Sequence, residues 1–331
     1  MGATTRRSVL AGMAATAVAA PARAQAQTPL TRLTVMVFPG MQNLPLFAAQ
    51  HTGPFARRGL EVEIKNAPTS DELRNGLAEG RYQVVHAAVD NAVAMAEVAK
   101  ADIAVVCGGD NGWQELIVQR EIGSYADLRG KTVIVDAPNT AYALQLYEML
   151  AQNGLKKGDY EVRVLGATNR RLEAILQDKS IAASMLNPPF SIRATEAGLK
   201  SFGPAVKVIG PYQASAGFVM RAWAKSNEDT LVRYLQAYVE GLRWSLDPAN
   251  KLPVTELLGK RLFLDKELAA KTYPLATDPV NGVVKDAKID LEGFRNVLKL
   301  RAAHLGTWGG PPPAPEKYLD LSYYQKALAG L

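Results

Sequence analysis

The sequence predicts an α/β fold of about two domains, followed by a helical C-terminal tail. Three observations predict it. Short β-rich apolar runs alternate with helical patterns from residue 33 to about 108, the alternation restarts at residue 115, and from Asn227 onward nearly everything reads as helix. Strand–helix alternation implies mostly parallel sheets with covering helices. A chain of 331 residues has room for two units at roughly 100–200 residues each.

The elements follow in order. Residues 33–38 read as a strand and 44–49 start a helix that breaks near Gly53-Pro54; 62–66 is a second strand. Thr69-Ser70-Asp71-Glu72 fits a capping box opening a helix to residue 79, because a Thr hydroxyl and a Glu three positions on satisfy free N–H groups. Strands at 83–88 and 103–108 flank a helix at 91–99. In the second round, 115–119, 132–135, 160–165, 182–186 and 206–209 read as strands. Helices are expected at 140–153, 172–178 and 191–197, and the stretch 217–221 leads into helices at 227–246, 253–263, 266–273 and 290–304. Gly309-Gly310-Pro311-Pro312-Pro313 interrupts before a last helix from Leu321. The run 77–91 echoes 176–189, each a helix end, polar turn, strand and polar loop; two similar lobes or a generic βαβ rhythm would both explain it.

Composition excludes several classes. Hydrophobic residues make up 48% and charged residues 21%, as in ordinary globular proteins. No run approaches the roughly 18–20 apolar residues of a membrane-spanning helix. A single cysteine, Cys107, excludes an internal disulfide and a cysteine-based metal site. The N-terminus has the form of an export address: Arg6-Arg7-Ser8-Val9-Leu10, an Ala-rich stretch, then Ala22-Arg23-Ala24-Gln25-Ala26. Positive region, short apolar region and small-residue cleavage site make a signal peptide over 1–26 of twin-arginine type, with cleavage after Ala24 or Ala26 and a periplasmic destination. Removing its three arginines lowers the net charge from +6 to +3, too little to argue for nucleic acid or an anionic membrane. Arg57-Arg58 and Arg170-Arg171 read as solvated helix faces.

Residues of special type cluster just after strands, where open α/β sheets bind ligands and helix N-termini present free N–H groups. Five loops qualify: Gln42-Asn43, Asp90-Asn91, Asp110-Asn111-Gly112-Trp113, Asp136 through Asn139-Thr140, and Asn187-Pro188-Pro189-Phe190. Asp90, Asn139 and Asn187 also suit simple N-capping. Trp113 sits in a Gly/Asn-rich loop, with Tyr142, Phe190 and Tyr212 in comparable places; aromatics among neutral amides make an organic-ligand pocket. No catalytic set stands out. His51, His86 and His304 lack metal-ligand spacing, and no nucleophile elbow, P-loop or dinucleotide fingerprint occurs. His86 and Cys107 lie in strand patterns and read as core residues.

Two stretches carry a family resemblance. One is Leu46-Phe47-Ala48-Ala49 through Gly53-Pro54-Phe55-Ala56-Arg57-Arg58-Gly59-Leu60-Glu61-Val62-Glu63; the other is Leu128-Arg129-Gly130-Lys131-Thr132-Val133, followed by Asp136-Ala137-Pro138-Asn139-Thr140. In this order and spacing they resemble the periplasmic substrate-binding proteins of ABC importers, in the branch with nitrate-, sulfonate/taurine- and thiamine-pyrimidine-precursor-binding members. The resemblance implies a two-lobed, type II-like periplasmic binding protein fold with hinge crossings near 112–120 and 210–218. Lobe 1 would be 27–115 plus 216–331 and lobe 2 would be 116–215, with the helical tail returning to lobe 1. It implies a monomeric receptor, without cofactor or metal, that delivers a small molecule to an ABC importer permease. The ligand-binding set expected from the loops is Gln42, Asn43, Asp90, Asn91, Asp110, Asn111, Trp113, Asn139, Thr140, Tyr142, Asn187 and Phe190. No Arg or Lys stands in the five loops and Gln42-Asn43-Leu44 is uncharged, so a neutral aromatic or heterocyclic ligand is favoured over an oxyanion. A cationic amine facing Asp90 or Asp110 is the second possibility. The alternative function is an exported enzyme of the same fold acting on a small heterocyclic or aromatic metabolite; pyrimidine-precursor synthases with this fold carry a cysteine-rich iron-binding segment that Cys107 alone does not match.

Overall fold

A computed structural model describes residues 1–2 and 30–331; the expected export signal falls, apart from its first two residues, outside the described residues. The first round of alternation comprises β1 (Thr31–Val37), α1 (Leu44–Thr52), α2 (Pro54–Arg57), β2 (Leu60–Asn66), α3 (Ser70–Ala78), β3 (Val84–Ala88), α4 (Val89–Glu97) and β4 (Ile103–Gly108). The second comprises β5 (Glu115–Val118), β6 (Thr132–Val135), α5 (Ala141–Gln152), β7 (Glu161–Val164), α6 (Thr168–Gln177), β8 (Ile181–Leu186), α7 (Phe190–Glu196), β9 (Lys200–Pro204) and α8 (Val206–Ile209). The chain then forms β10 (Ser215–Met220), α9 (Arg221–Ser226), α10 (Glu228–Leu246), α11 (Lys251–Leu262), α12 (Lys266–Ala276), α13 (Leu291–Leu305) and α14 (Ser322–Ala329).

Two five-stranded sheets result, ordered β2-β1-β3-β10-β4 and β7-β6-β8-β5-β9. Each is parallel except for one strand: β10 runs antiparallel to β3 and β4, and β5 runs antiparallel to β8 and β9. The reversed strand is in each case the first one laid down after the chain passes from one sheet to the other. β3 and β8 hold the same place in the two orders, so the echo between 77–91 and 176–189 is a structural repeat. The expected two-lobed α/β architecture is therefore present.

Local chemistry explains most boundaries. Thr69 caps α3, its hydroxyl accepting from Glu72 N at 3.1 Å. The reciprocal half of the capping box is missing, because the Glu72 carboxylate accepts from Arg81 at 2.5 Å and from the Tyr82 hydroxyl at 2.9 Å instead. Gly53 ends α1 with φ 88°, a conformation that costs glycine nothing. Residues 206–209 form the short helix α8, not the expected strand; the edge place beside β5 goes to β9, over 200–204. Its Lys-Ser-Phe-Gly-Pro sequence lacks the apolar run that marks a buried strand, as an edge position allows.

The helical tail packs mainly on the first sheet. α10 lies on α1 and α2, with α14 on α10, and Arg58 reaches Glu240 at 2.5 Å. Approach is close because Gly241 has no side chain: an added Cβ would collide with the Pro45 carbonyl and stand 2.6 Å from Ala49 N. α13 touches both α4 and α5, one helix from each round. Among the described residues no helix is long and apolar enough to cross a membrane.

Candidate functional site

The chain passes between the sheets twice, through residues 109–114 and again through 210–214. The two passages are bonded together: the Asp110 carbonyl accepts from Ala214 N at 3.0 Å and from Gln213 Nε2 at 3.4 Å. Beside them a cavity of about 530 Å³ opens between the carboxyl ends of both sets of parallel strands. That is the place where α/β sheets take ligands, and the volume suits a small organic molecule.

The first half supplies Phe38 and Gln42 from the loop after β1, Asn91 from the first turn of α4, and Asp110, Trp113 and Gln114 from the passage. The second half supplies Asp136, Thr140 and Tyr142 around the start of α5, residues 164–171 from the end of β7 into the first turn of α6, and Asn187 and Phe190 after β8. Of the residues expected from sequence, Gln42, Asn91, Asp110, Trp113, Thr140, Tyr142, Asn187 and Phe190 converge on this cavity.

Four expected residues do not line it. Asn43 is buried and donates its amide to the Phe38 carbonyl at 2.7 Å, tightening the turn. Asp90 pairs with Arg301 at 2.7 Å. Asn111 donates to the Val280 carbonyl at 3.2 Å, and Asn139 is exposed beyond the rim. The first three serve the scaffold, in keeping with the ordinary use of amides and buried acids.

The lining side chains are held. Trp113 Nε1 donates to the Leu275 carbonyl of α12 at 2.9 Å, which fixes the indole. Tyr142 donates its hydroxyl to Asn187 Oδ1 at 2.9 Å, and burial pushes its phenol up to about 12. Thr140 donates to Asp136 Oδ1 at 2.6 Å. Asp110 accepts from the Ser215 hydroxyl and from Gly112 N. Burial pushes the Asp110 carboxyl up to about 7 against those two bonds.

Arg171 corrects the reading of Arg170-Arg171 as a solvated face. It is 1% exposed, lines the cavity, and lays its guanidinium over the Tyr142 ring at 5.0 Å. It donates to the Gly166 carbonyl, to Thr168 Oγ1 at 3.2 Å and to the Met185 carbonyl at 3.2 Å. Gln114, Asp136 and Ser215 are further lining residues outside the expected set. The loop rule does not reach Arg171: the loop at 165–167 follows β7, but Arg171 is the fourth residue of α6.

His86 and Cys107 do not line the cavity. His86 stacks on Tyr238 at 4.5 Å with its imidazole pushed down to about 3 by burial, and burial pushes the Cys107 thiol up to about 12. Both are core residues, as the strand patterns predict.

The fold is shared with solved structures of low identity. The periplasmic nitrate-binding protein NrtA from Synechocystis PCC 6803 superposes with a TM-score of 0.76 at 13% identity, over 91% of this chain and 89% of that one. The periplasmic aliphatic sulphonate-binding protein SsuA from Escherichia coli gives 0.70 at 17%, over 89% and 99%. The desulfurization enzyme DSZB gives 0.63 at 13%, over 90% and 99%. Comparison with curated proteins finds no match. The two binding proteins belong to the branch that the sequence stretches resemble. The NMT1-like family matches residues 26–259, well over half of the chain, with both sheets and both passages inside the match. The chain is a member of the NMT1-like family.

Proposed function

We propose that this protein is a periplasmic solute-binding receptor that takes up a small organic molecule and hands it to an ABC importer. The observation that carries the reading is the cavity: two sheets of the same strand order, joined by two bonded passages, each furnish one wall. Such a site can close by rotation about the passages. Trp113, Tyr142, Phe38 and Phe190 offer flat apolar faces, and Gln42, Asn91 and Asn187 offer polar groups at their edges. A molecule with an aromatic or heterocyclic body fits that inventory.

The preference for a neutral ligand depends on cleft loops free of Arg and Lys. Arg170, Arg171, Asp71, Asp110 and Asp136 all line the cavity, so that ground is removed and the aromatic body alone is retained. The second reading, an enzyme of this fold, is favoured by the likeness to DSZB.

A thermal-shift screen over small metabolites, followed by recovery of the hits for mass spectrometry, tests both. A ligand at about 100 times its Kd stabilises the native state by about 2.7 kcal/mol. At least one flat compound is expected to raise the melting temperature and to be recovered unchanged. A panel without any such compound would overturn the receptor reading, and a chemically altered product would put the enzyme first.

A further inference from the structure

Three carboxylates stand on the cavity wall, and two of them have a cation nearby. Asp71 pairs with Arg74 at 2.5 Å. Asp136 lies in the field of Arg171, which it helps to keep charged, and accepts from Thr140. Asp110 differs. It is 2% exposed, and among the described residues its oxygens meet only two neutral donors, the Ser215 hydroxyl from β10 and Gly112 N from its own passage. The other titratable groups that face it are the phenols of Tyr142 on α5 and Tyr238 on α10. Among the described residues no cation contributes to its state.

Around it the wall offers acceptors. Gln114 Oε1 and Gln42 Oε1 have no hydrogen-bond donor, while both residues line the cavity. Trp113 and Tyr142 line the same cavity. The Arg171 guanidinium donates from its two terminal nitrogens to three neutral oxygens and lies over the Tyr142 ring; its Nε has no acceptor, and Arg170 lines the same cavity, so benzoate is the competitor that the test must include. A buried carboxylate without a cation, among spare acceptors and aromatic faces, is the complement of a flat organic base.

We propose that the molecule bound here carries a cationic nitrogen group on a flat ring, an amidinium or ammonium, and that this group pairs with the Asp110 carboxylate. The proposal rests on the receptor reading and names the chemical class of its ligand. The cation supplies the partner that the fold withholds from Asp110, and the ring lies between Trp113 and Tyr142.

Benzamidine, benzamide and benzoate test the charge directly, since they share one ring and differ in the end group. Titration calorimetry at pH 8 is expected to show benzamidine binding about tenfold or more tighter than benzamide, as a charged hydrogen-bonded pair implies, with benzoate weakest. Asp110→Asn is expected to erase the difference between benzamidine and benzamide. The wild-type protein at pH 5.5 gives the same comparison without a substitution, and there the preference is expected to fall below about threefold. Equal binding of benzamidine and benzamide at pH 8, a preference for benzoate, a preference that survives Asp110→Asn, or no binding of any of the three overturns the cation assignment. The receptor reading is decided separately, by the wider metabolite panel.

Discussion

Asp90 at the start of α4 and Arg301 near the end of α13 form an ion pair of 2.7 Å in which each side chain is 1% exposed. The two residues are 211 positions apart, and the pair pins the tail to the first sheet beside the cavity. Burial pushes the Asp90 carboxyl up, and the Arg301 charge pulls it back. Breaking a buried pair strands one charge, at a cost of about 3–5 kcal/mol. Arg301→Met is therefore expected to lower the stability measured by urea unfolding by that order at pH 7. A loss below about 1 kcal/mol would show that the pair carries no such weight.

Asp110 makes stability fall as pH rises. Its folded value of about 7 lies above the ordinary 3.8, so the native state holds its proton more tightly than the unfolded chain does. The penalty is absent below pH 3.8, grows between there and about 7, and is complete above. Each tenfold gain in proton affinity is worth about 1.4 kcal/mol, so the full penalty is on the order of a few kcal/mol. Asp110→Asn is expected to be more stable than wild type at pH 8 and to lose that advantage by pH 4, in urea unfolding at both values. An unchanged difference across the window would place the titration elsewhere.

Trp113 and Tyr142 separate scaffold from contact. Trp113→Ala removes a held indole and is expected to cost about 3–5 kcal/mol of stability together with affinity. Tyr142→Phe keeps the ring and loses the hydroxyl's bond to Asn187, about 0.5–1.5 kcal/mol. For the strongest hit of the thermal-shift screen, Tyr142→Phe should leave affinity within about tenfold. Calorimetry beside unfolding curves reads both; Trp113→Ala with wild-type affinity would make the indole scaffold alone.

Gly241→Ala is expected to destabilise by about 1–3 kcal/mol through overpacking, since the new methyl meets the backbone at Pro45 and Ala49. Thermal unfolding checks this, and an unchanged melting temperature would mean that α1 and α10 can part freely.

For export, Arg6→Lys with Arg7→Lys is expected to leave precursor in the cytoplasm. Fractionation and immunoblotting decide it, and normal periplasmic yield would refute the twin-arginine reading.

Local signals carry most of the fold. The Thr69 cap, the β-branched run at 103–108 and the Gly53 stop act within a few residues, so they can be read along the chain. β9 escapes such a reading because an edge strand needs no apolar run, and α8 passes for a strand because Val-Lys-Val-Ile is too short to show a telling period. The site is legible where loop position decides, as for Trp113 and Tyr142. It is not legible for Asp90, whose partner arrives from 211 residues away, or for Arg171, whose burial depends on Tyr142 and on the Gly166 and Met185 carbonyls packing round it.

The place of β10 between β3 and β4 sets an order of events during synthesis. β1 to β4 leave the ribosome first, yet β3 and β4 have no ladder with each other; the strand that joins them follows the whole second sheet. That second sheet is contiguous in the chain and can close as soon as β9 emerges. Until residue 220 is made, the first sheet shows two open strand edges, the kind of surface that pairs with other chains. A nascent chain halted anywhere before residue 215 leaves the first sheet open, however complete the second.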